Sequence, residues 1–169
     1  MRSRVALIGI VLGALAMSLG ACGGSGTGSG SALTQAQLSK LDIYDIDQIE
    51  RKWHDAETHR NLAEMMSLWA PKAVWEADQD LTLVGKDQIR NFWVTQVFPA
   101  AKAQHWFSDT ASFRMRTTVD GDKGTLYFEC HELDSKTQKL LAVVGQELDV
   151  ARMGRHWLIT KSVGSSPTL

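Results

Sequence analysis

The apolar pattern of this chain changes period near residue 105. Before that point apolar side chains recur at helical spacing, and after it they alternate. Helices first and hairpin-linked strands afterwards confine the chain to an α+β fold, with helices packed on an antiparallel sheet. In the helical half, Asp45 with Gln48 reads as a helix start, and Ile46, Ile49, Trp53 and Ala56 then form one apolar face. Asn61 with Glu64 repeats the capping signature and opens a short helix carrying Leu62, Met65, Met66 and Trp69, which Pro71 stops. Ala73–Ala77 and Leu81–Val84 read as short strands. Asp87–Val97 reads as a third helix, ended by Pro99. In the other half, His105–Val119 reads as one long strand. Asp120-Gly121-Asp122 turns it into Thr125–Leu133. Leu140–Arg152 and His156–Val163 follow, joined at Met153-Gly154-Arg155.

The N-terminus does not fit that pattern. Arg2 and Arg4 precede an uncharged apolar run, Val5–Leu19. The run is shorter than the roughly 20 residues a spanning helix needs, and suits a signal peptide. It ends in Leu19-Gly20-Ala21-Cys22, which resembles the bacterial lipobox. The resemblance implies cleavage before Cys22 and diacylation of its thiol. The nearly all Gly and Ser stretch Gly23–Ser31 reads as a flexible tether. The expected layout is a signal peptide at 1–21, a lipidated Cys22 with its tether at 22–34, one domain at 35–164 and a loose tail at 165–169. The mature protein is then extracytoplasmic, lipid-anchored to the bacterial membrane through Cys22. With 169 residues, 44 % of them apolar, the chain can bury one core. Its 18 Lys+Arg against 19 Asp+Glu give no support for a nucleic-acid partner. Cys130 reads as a small buried core residue.

Three segments of the domain are similar to the SnoaL-like branch of the nuclear-transport-factor-2-like superfamily. They are Leu68-Trp69-Ala70-Pro71-Lys72-Ala73-Val74-Trp75, Val119-Asp120-Gly121-Asp122, and Gly145–Arg152 followed by Gly154-Arg155-His156-Trp157-Leu158-Ile159. The resemblance covers roughly residues 43–163. It implies a cone-shaped fold, three N-terminal helices on a curved antiparallel sheet, enclosing a pocket open at one end. It also implies a homodimer through the outer face of the sheet. The superfamily hosts dehydratases and isomerases as well as binders, so the fold does not by itself name an activity.

Strand alternation sorts the candidate site residues. If His105–Val119 is one unbroken strand, Val119, Met115, Phe113 and Ala111 face inward, and so do Asp109, Phe107 and His105. His105 and Asp109 are then about 13 Å apart at strand rise, too far for a hydrogen-bonded pair. Gln104-His105-Trp106 resembles the Gln-His-Phe step of the scytalone-dehydratase-like branch, which implies an active-site role for His105 as general base. That branch's second histidine falls on Glu132 by parity, or on His131 with a shift of one residue. Its catalytic Asp falls on Thr58 and a neighbouring Tyr on Glu57. The ketosteroid-isomerase-like base falls on Ala77 or Asp78, so neither set of acids and bases is complete. His54 and His59 flank the apolar stripe of the first helix and are expected at the surface. Trp53, Phe107, Phe113 and Trp157 are expected to line an aromatic ligand pocket. No metal-ligand spacing, nucleophile elbow or cofactor fingerprint is present, so no metal and no cofactor are expected.

The incomplete catalytic sets favour a domain that binds a small hydrophobic ligand in its conical pocket. One alternative is a dehydratase or isomerase acting on a polyketide- or steroid-like carbonyl compound, with His105 as base, Glu132 or His131 as its partner and Asp109 orienting. Another is a protein–protein docking module of the cell envelope.

Overall fold

The computed structural model describes residues 33–78, 81–110 and 114–165. Residues 1–32, with the signal, Cys22 and all of the tether but Leu33 and Thr34, as well as Ala111, Phe113 and residues 166–169, lie outside the described residues.

Helix α1 runs from Gln35 to His59. It starts ten residues before Asp45 because Thr34 caps it: its hydroxyl accepts from the Gln37 N–H, and the Gln37 side chain returns the bond to the Thr34 N–H. Asp45 therefore lies inside the helix. Helix α2, Leu62–Ser67, has the expected Asn61 cap, whose side chain accepts from the Glu64 N–H at 3.2 Å. Trp69 does not belong to it. Strand β1, Trp69–Asp78, begins there and runs through Pro71 into the hairpin with β2, Leu81–Val84.

Helix α3, Lys86–Phe92, continues without a break through a π turn, Trp93–Val97, into helix α4, Phe98–Gln104. Pro99, expected to end this helix, sits in the first turn of α4. The wider π turn ahead of it, with the Phe98 N–H bonded to the Trp93 carbonyl, absorbs the N–H that proline lacks.

The expected long strand is two strands, β3 (Trp106–Thr110) and β4 (Arg116–Asp120). Both pair with β5 (Lys123–Asp134), followed by β6 (Leu140–Met153) and β7 (His156–Ser165). Ser165, assigned from sequence to the loose tail, is the last residue of β7. The seven strands form one curved sheet in the order β2-β1-β7-β6-β5-β3, with β4 also on β5. The sheet is mixed rather than antiparallel, because β1 lies parallel to β7. β1 follows the N-terminal helices and enters beside the last strand, so no hairpin dictates its direction.

α1 crosses the inner face of the sheet. Its stripe of Ile46, Ile49, Trp53 and Ala56 meets Leu126, Phe128, Leu148, Val150 and Ile159, all buried. The approach is close at Gly124, where a Cβ would stand 2.9 Å from the Ile46 Cδ1 atom and 2.7 Å from the Thr118 carbonyl oxygen. Arg152 ties the start of α1 to the β4–β5 turn through Asp42 and Asp122. Aromatic side chains fill the space between helices and sheet. The Trp53 ring lies 5.5–5.9 Å, centroid to centroid, from Trp69, Trp75, Trp93 and Phe128. Among the described residues, the buried indole N–H groups of Trp69, Trp75 and Trp93 find no acceptor, so packing rather than hydrogen bonding holds this cluster.

Candidate functional site

A second stripe runs along α1 beside the apolar one. Glu50, His54, Glu57 and Thr58 follow helical spacing and turn toward β3 and β5. Glu50, His54 and Glu57 are only 3 %, 7 % and 5 % exposed. His54 is thus buried, against the expectation that it lies at the surface, whereas His59 is exposed. The buried face of α1 is wider than its apolar stripe, and the extra width carries these polar groups.

Ser108 of β3 meets this stripe. The His54 Nδ1 atom lies 2.8 Å from the Ser108 hydroxyl. The Thr58 hydroxyl donates to the Ser108 carbonyl at 3.0 Å, and the Ser108 N–H donates to the Thr58 oxygen at 3.2 Å. On the other side of the imidazole, the Nε2 atom lies 3.5 Å from Glu50. From β5, Cys130 brings a free buried thiol, as expected of a core cysteine. Ligand atoms of His54, Glu57 and Cys130 all lie within 4.8 Å of one another. Glu132, directly opposite Ser108 across the β3–β5 ladder, shares its face.

Low polarity governs the charges. Burial pushes the Glu57 carboxyl from 4.5 to about 8; the negative charge of Glu132 adds to the shift, while the Ser108 hydroxyl and the Trp53 indole oppose it. Burial also raises Glu132. Burial, reinforced by Glu57, drives the Cys130 thiol well above its ordinary value. At neutral pH Glu57 and Cys130 therefore hold their protons. A cleft of about 280 Å³ opens beside His54 and Ser108, lined also by Glu50, Arg51, Asp55, Thr58 and His59.

The residues singled out from sequence divide between this site and elsewhere. Glu132 is inward. His131 points to the outer face, where its Nε2 atom lies 3.2 Å from Glu129. Burial would raise Glu129, but hydrogen bonds from His131 and Tyr127 and the charge of Arg114 outweigh it and hold the carboxyl below its ordinary value. His105 is exposed and is not a strand residue; it caps α4 in the left-handed conformation (φ 55°), and its carbonyl accepts from the Ser135 N–H. Asp109 is placed by its backbone in β3, opposite His131.

The inward parity expected for His105 and Phe107 fails for a countable reason. From Thr110 to Arg116 the chain advances six residues while its partner, from Cys130 to Tyr127, advances three. An odd surplus flips the faces, so Val119 faces inward as expected but Ser108 replaces its neighbours.

The three described pocket aromatics, Trp53, Phe107 and Trp157, do not line one space. Trp53 lies inside the aromatic core, at 1 % exposure. Phe107 lines a cleft of about 410 Å³ with Thr58, Arg60, Lys102 and His105. Trp157 lines a different one, under the Arg152 guanidinium at 4.7 Å. Sequence reasoning missed His54 and Ser108 as partners. The spacing of Glu50, His54 and Glu57 was the available signal for His54; nothing local marked Ser108.

Helices laid across the inner face of a seven-stranded mixed sheet define a nuclear-transport-factor-2-like protein, and solved structures agree. A protein of this type with a cystatin-like fold from Novosphingobium aromaticivorans superposes with a TM-score of 0.67 at 17 % identity, over 76 % of this chain and 84 % of that one. One of unknown function from Pseudomonas putida also gives 0.67 at 17 % identity, over 78 % and 90 %. A type 2 hexachlorocyclohexane dehydrochlorinase gives 0.62 at 15 % identity, over 78 % and 89 %. Residues 51–156 match the SnoaL-like domain, and the chain belongs to that family. No curated protein matches it in sequence.

Proposed function

We propose that this chain is a bacterial lipoprotein whose SnoaL-like domain works outside the cytoplasm and binds a small, oxygen-bearing molecule in the cleft above His54. The observation that carries the binding reading is the His54–Ser108 pair, two buried polar side chains 2.8 Å apart at the floor of an open cleft. Pre-formed clefts with a few convergent polar groups are the usual small-molecule sites. The aromatic cluster around Trp53 occupies the interior where a hydrophobic ligand was expected, which moves the reading from the cone to the cleft. The lipobox-like Leu19-Gly20-Ala21-Cys22 and the tether after it support the anchor.

Two measurements test it. Cells expressing the full chain are expected to incorporate labelled palmitate into the protein and retain it in the membrane fraction. Cys22→Ala is expected to lose the label entirely and release the protein; unchanged labelling in that variant rejects the anchor. For the site, melting of the full chain is followed against hydroxy acids, steroids and polyketides. A ligand at a hundred times its dissociation constant adds about 2.7 kcal/mol. At least one compound is expected to stabilise the wild type and leave His54→Gln unmoved. No shift from any compound, or an equal shift in the variant, rejects the cleft.

A further inference from the structure

We infer that a zinc-class divalent cation binds between His54, Glu57 and Cys130. His54 and Glu57 stand three residues apart on α1, a spacing that places two ligands on one helix face. Cys130 approaches from β5, and the three donor atoms already lie within 4.8 Å of one another. One nitrogen, one oxygen and one sulfur donor suit a borderline cation of the zinc class rather than magnesium or calcium, which take oxygen. Three protein ligands would leave a fourth position open, and the cleft lined by His54 and Ser108 reaches the cluster on its histidine side. The second, independent observation is Glu57 itself. Its Oε2 atom is buried and, among the described residues, has no partner at ordinary hydrogen-bond geometry, an arrangement that costs free energy unless something else satisfies it. On binding, Glu57 and Cys130 would each release a proton to solvent, and the resulting carboxylate and thiolate would balance the charge of the dication.

The surroundings fit the same reading. Glu50 stands 3.5 Å from the His54 Nε2 atom; with Nδ1 as the ligand atom, Glu50 would be the carboxylate that orients the ring. The Ser108 hydroxyl, 2.8 Å from Nδ1, is the group a cation would displace or recruit. The inference deepens the binding reading and rests on the same cleft, since the organic ligand would then place an oxygen on the cation. Its test uses no organic ligand, so the two fail separately.

The test is a cobalt titration of the full chain, stripped with chelator and kept reduced. One equivalent of Co²⁺ is expected to give the visible bands of a four-coordinate site and a thiolate-to-cobalt charge-transfer band, and Zn²⁺ is expected to bleach both. Cys130→Ser is expected to lose the charge-transfer band, and Cys22→Ala to keep it. Glu57→Gln, close to the wild type in shape, is expected to weaken binding by about tenfold or more while circular dichroism shows the fold retained. Absence of the bands in the wild type overturns the inference. So does a charge-transfer band that survives Cys130→Ser, or affinity unchanged in Glu57→Gln.

Discussion

Glu57→Gln is expected to stabilise the metal-free domain strongly at alkaline pH and hardly at all near pH 5. In the unfolded chain Glu57 loses its proton above about 4.5, but in the folded domain burial and the nearby Glu132 keep it protonated to about 8. Between those values the folded state holds the extra proton, so raising the pH favours unfolding. The loss is complete once the pH passes about 8, and it amounts to about 5 kcal/mol at roughly 1.36 kcal/mol per unit. Domains of this size have only about 5–15 kcal/mol in total, so the effect is large. Glutamine fills the same space and never ionises. Denaturant unfolding with chelator present, from pH 5 to pH 9, is expected to show wild-type stability falling through that window and the variant's staying flat by comparison. Parallel curves for the two proteins would show that Glu57 ionises freely in the fold.

Trp53→Ala is expected to cost about 3–5 kcal/mol, as the deletion of a large buried aromatic does. Trp53 is 1 % exposed and touches Trp69, Trp75, Trp93 and Phe128 at ring distances of 5.5–5.9 Å. Denaturant unfolding measures the loss, and near-ultraviolet circular dichroism is expected to weaken as the coupled indoles loosen. Trp53→Phe, which keeps an aromatic in the gap, is expected to lose clearly less. A loss below about 1 kcal/mol for alanine would mean that the cluster is not tightly packed.

Much of the architecture is legible along the chain. The Asn61 cap, the Asp120-Gly121-Asp122 and Met153-Gly154-Arg155 turns, and the alternation in β5 identify their elements because each rests on neighbours a few residues away. The stripe of Ile46, Ile49, Trp53 and Ala56 identifies the core face of α1 for the same reason. Glu132 follows the parity of Leu126, Phe128 and Cys130 because the pairing of β5 stays in register up to it. Local signals mislead where a neighbouring element changes the rule. Pro99 continues a helix because a π turn precedes it, and Asp45 starts none because Thr34 caps the helix earlier.

The sequence by itself determined the α+β order, the apolar faces and the family likeness, since hydrogen-bonded turns and side-chain periodicity are short-range. Only the tertiary structure decided the site. The surplus of residues between β3 and β4 turns Ser108 inward and leaves His105 as an exposed helix cap. The crossing of α1 over β3 and β5 buries Glu50, His54 and Glu57 against that serine and Cys130. Which polar groups converge depends on strand register and helix crossing, and both are set by contacts between residues some fifty or more positions apart.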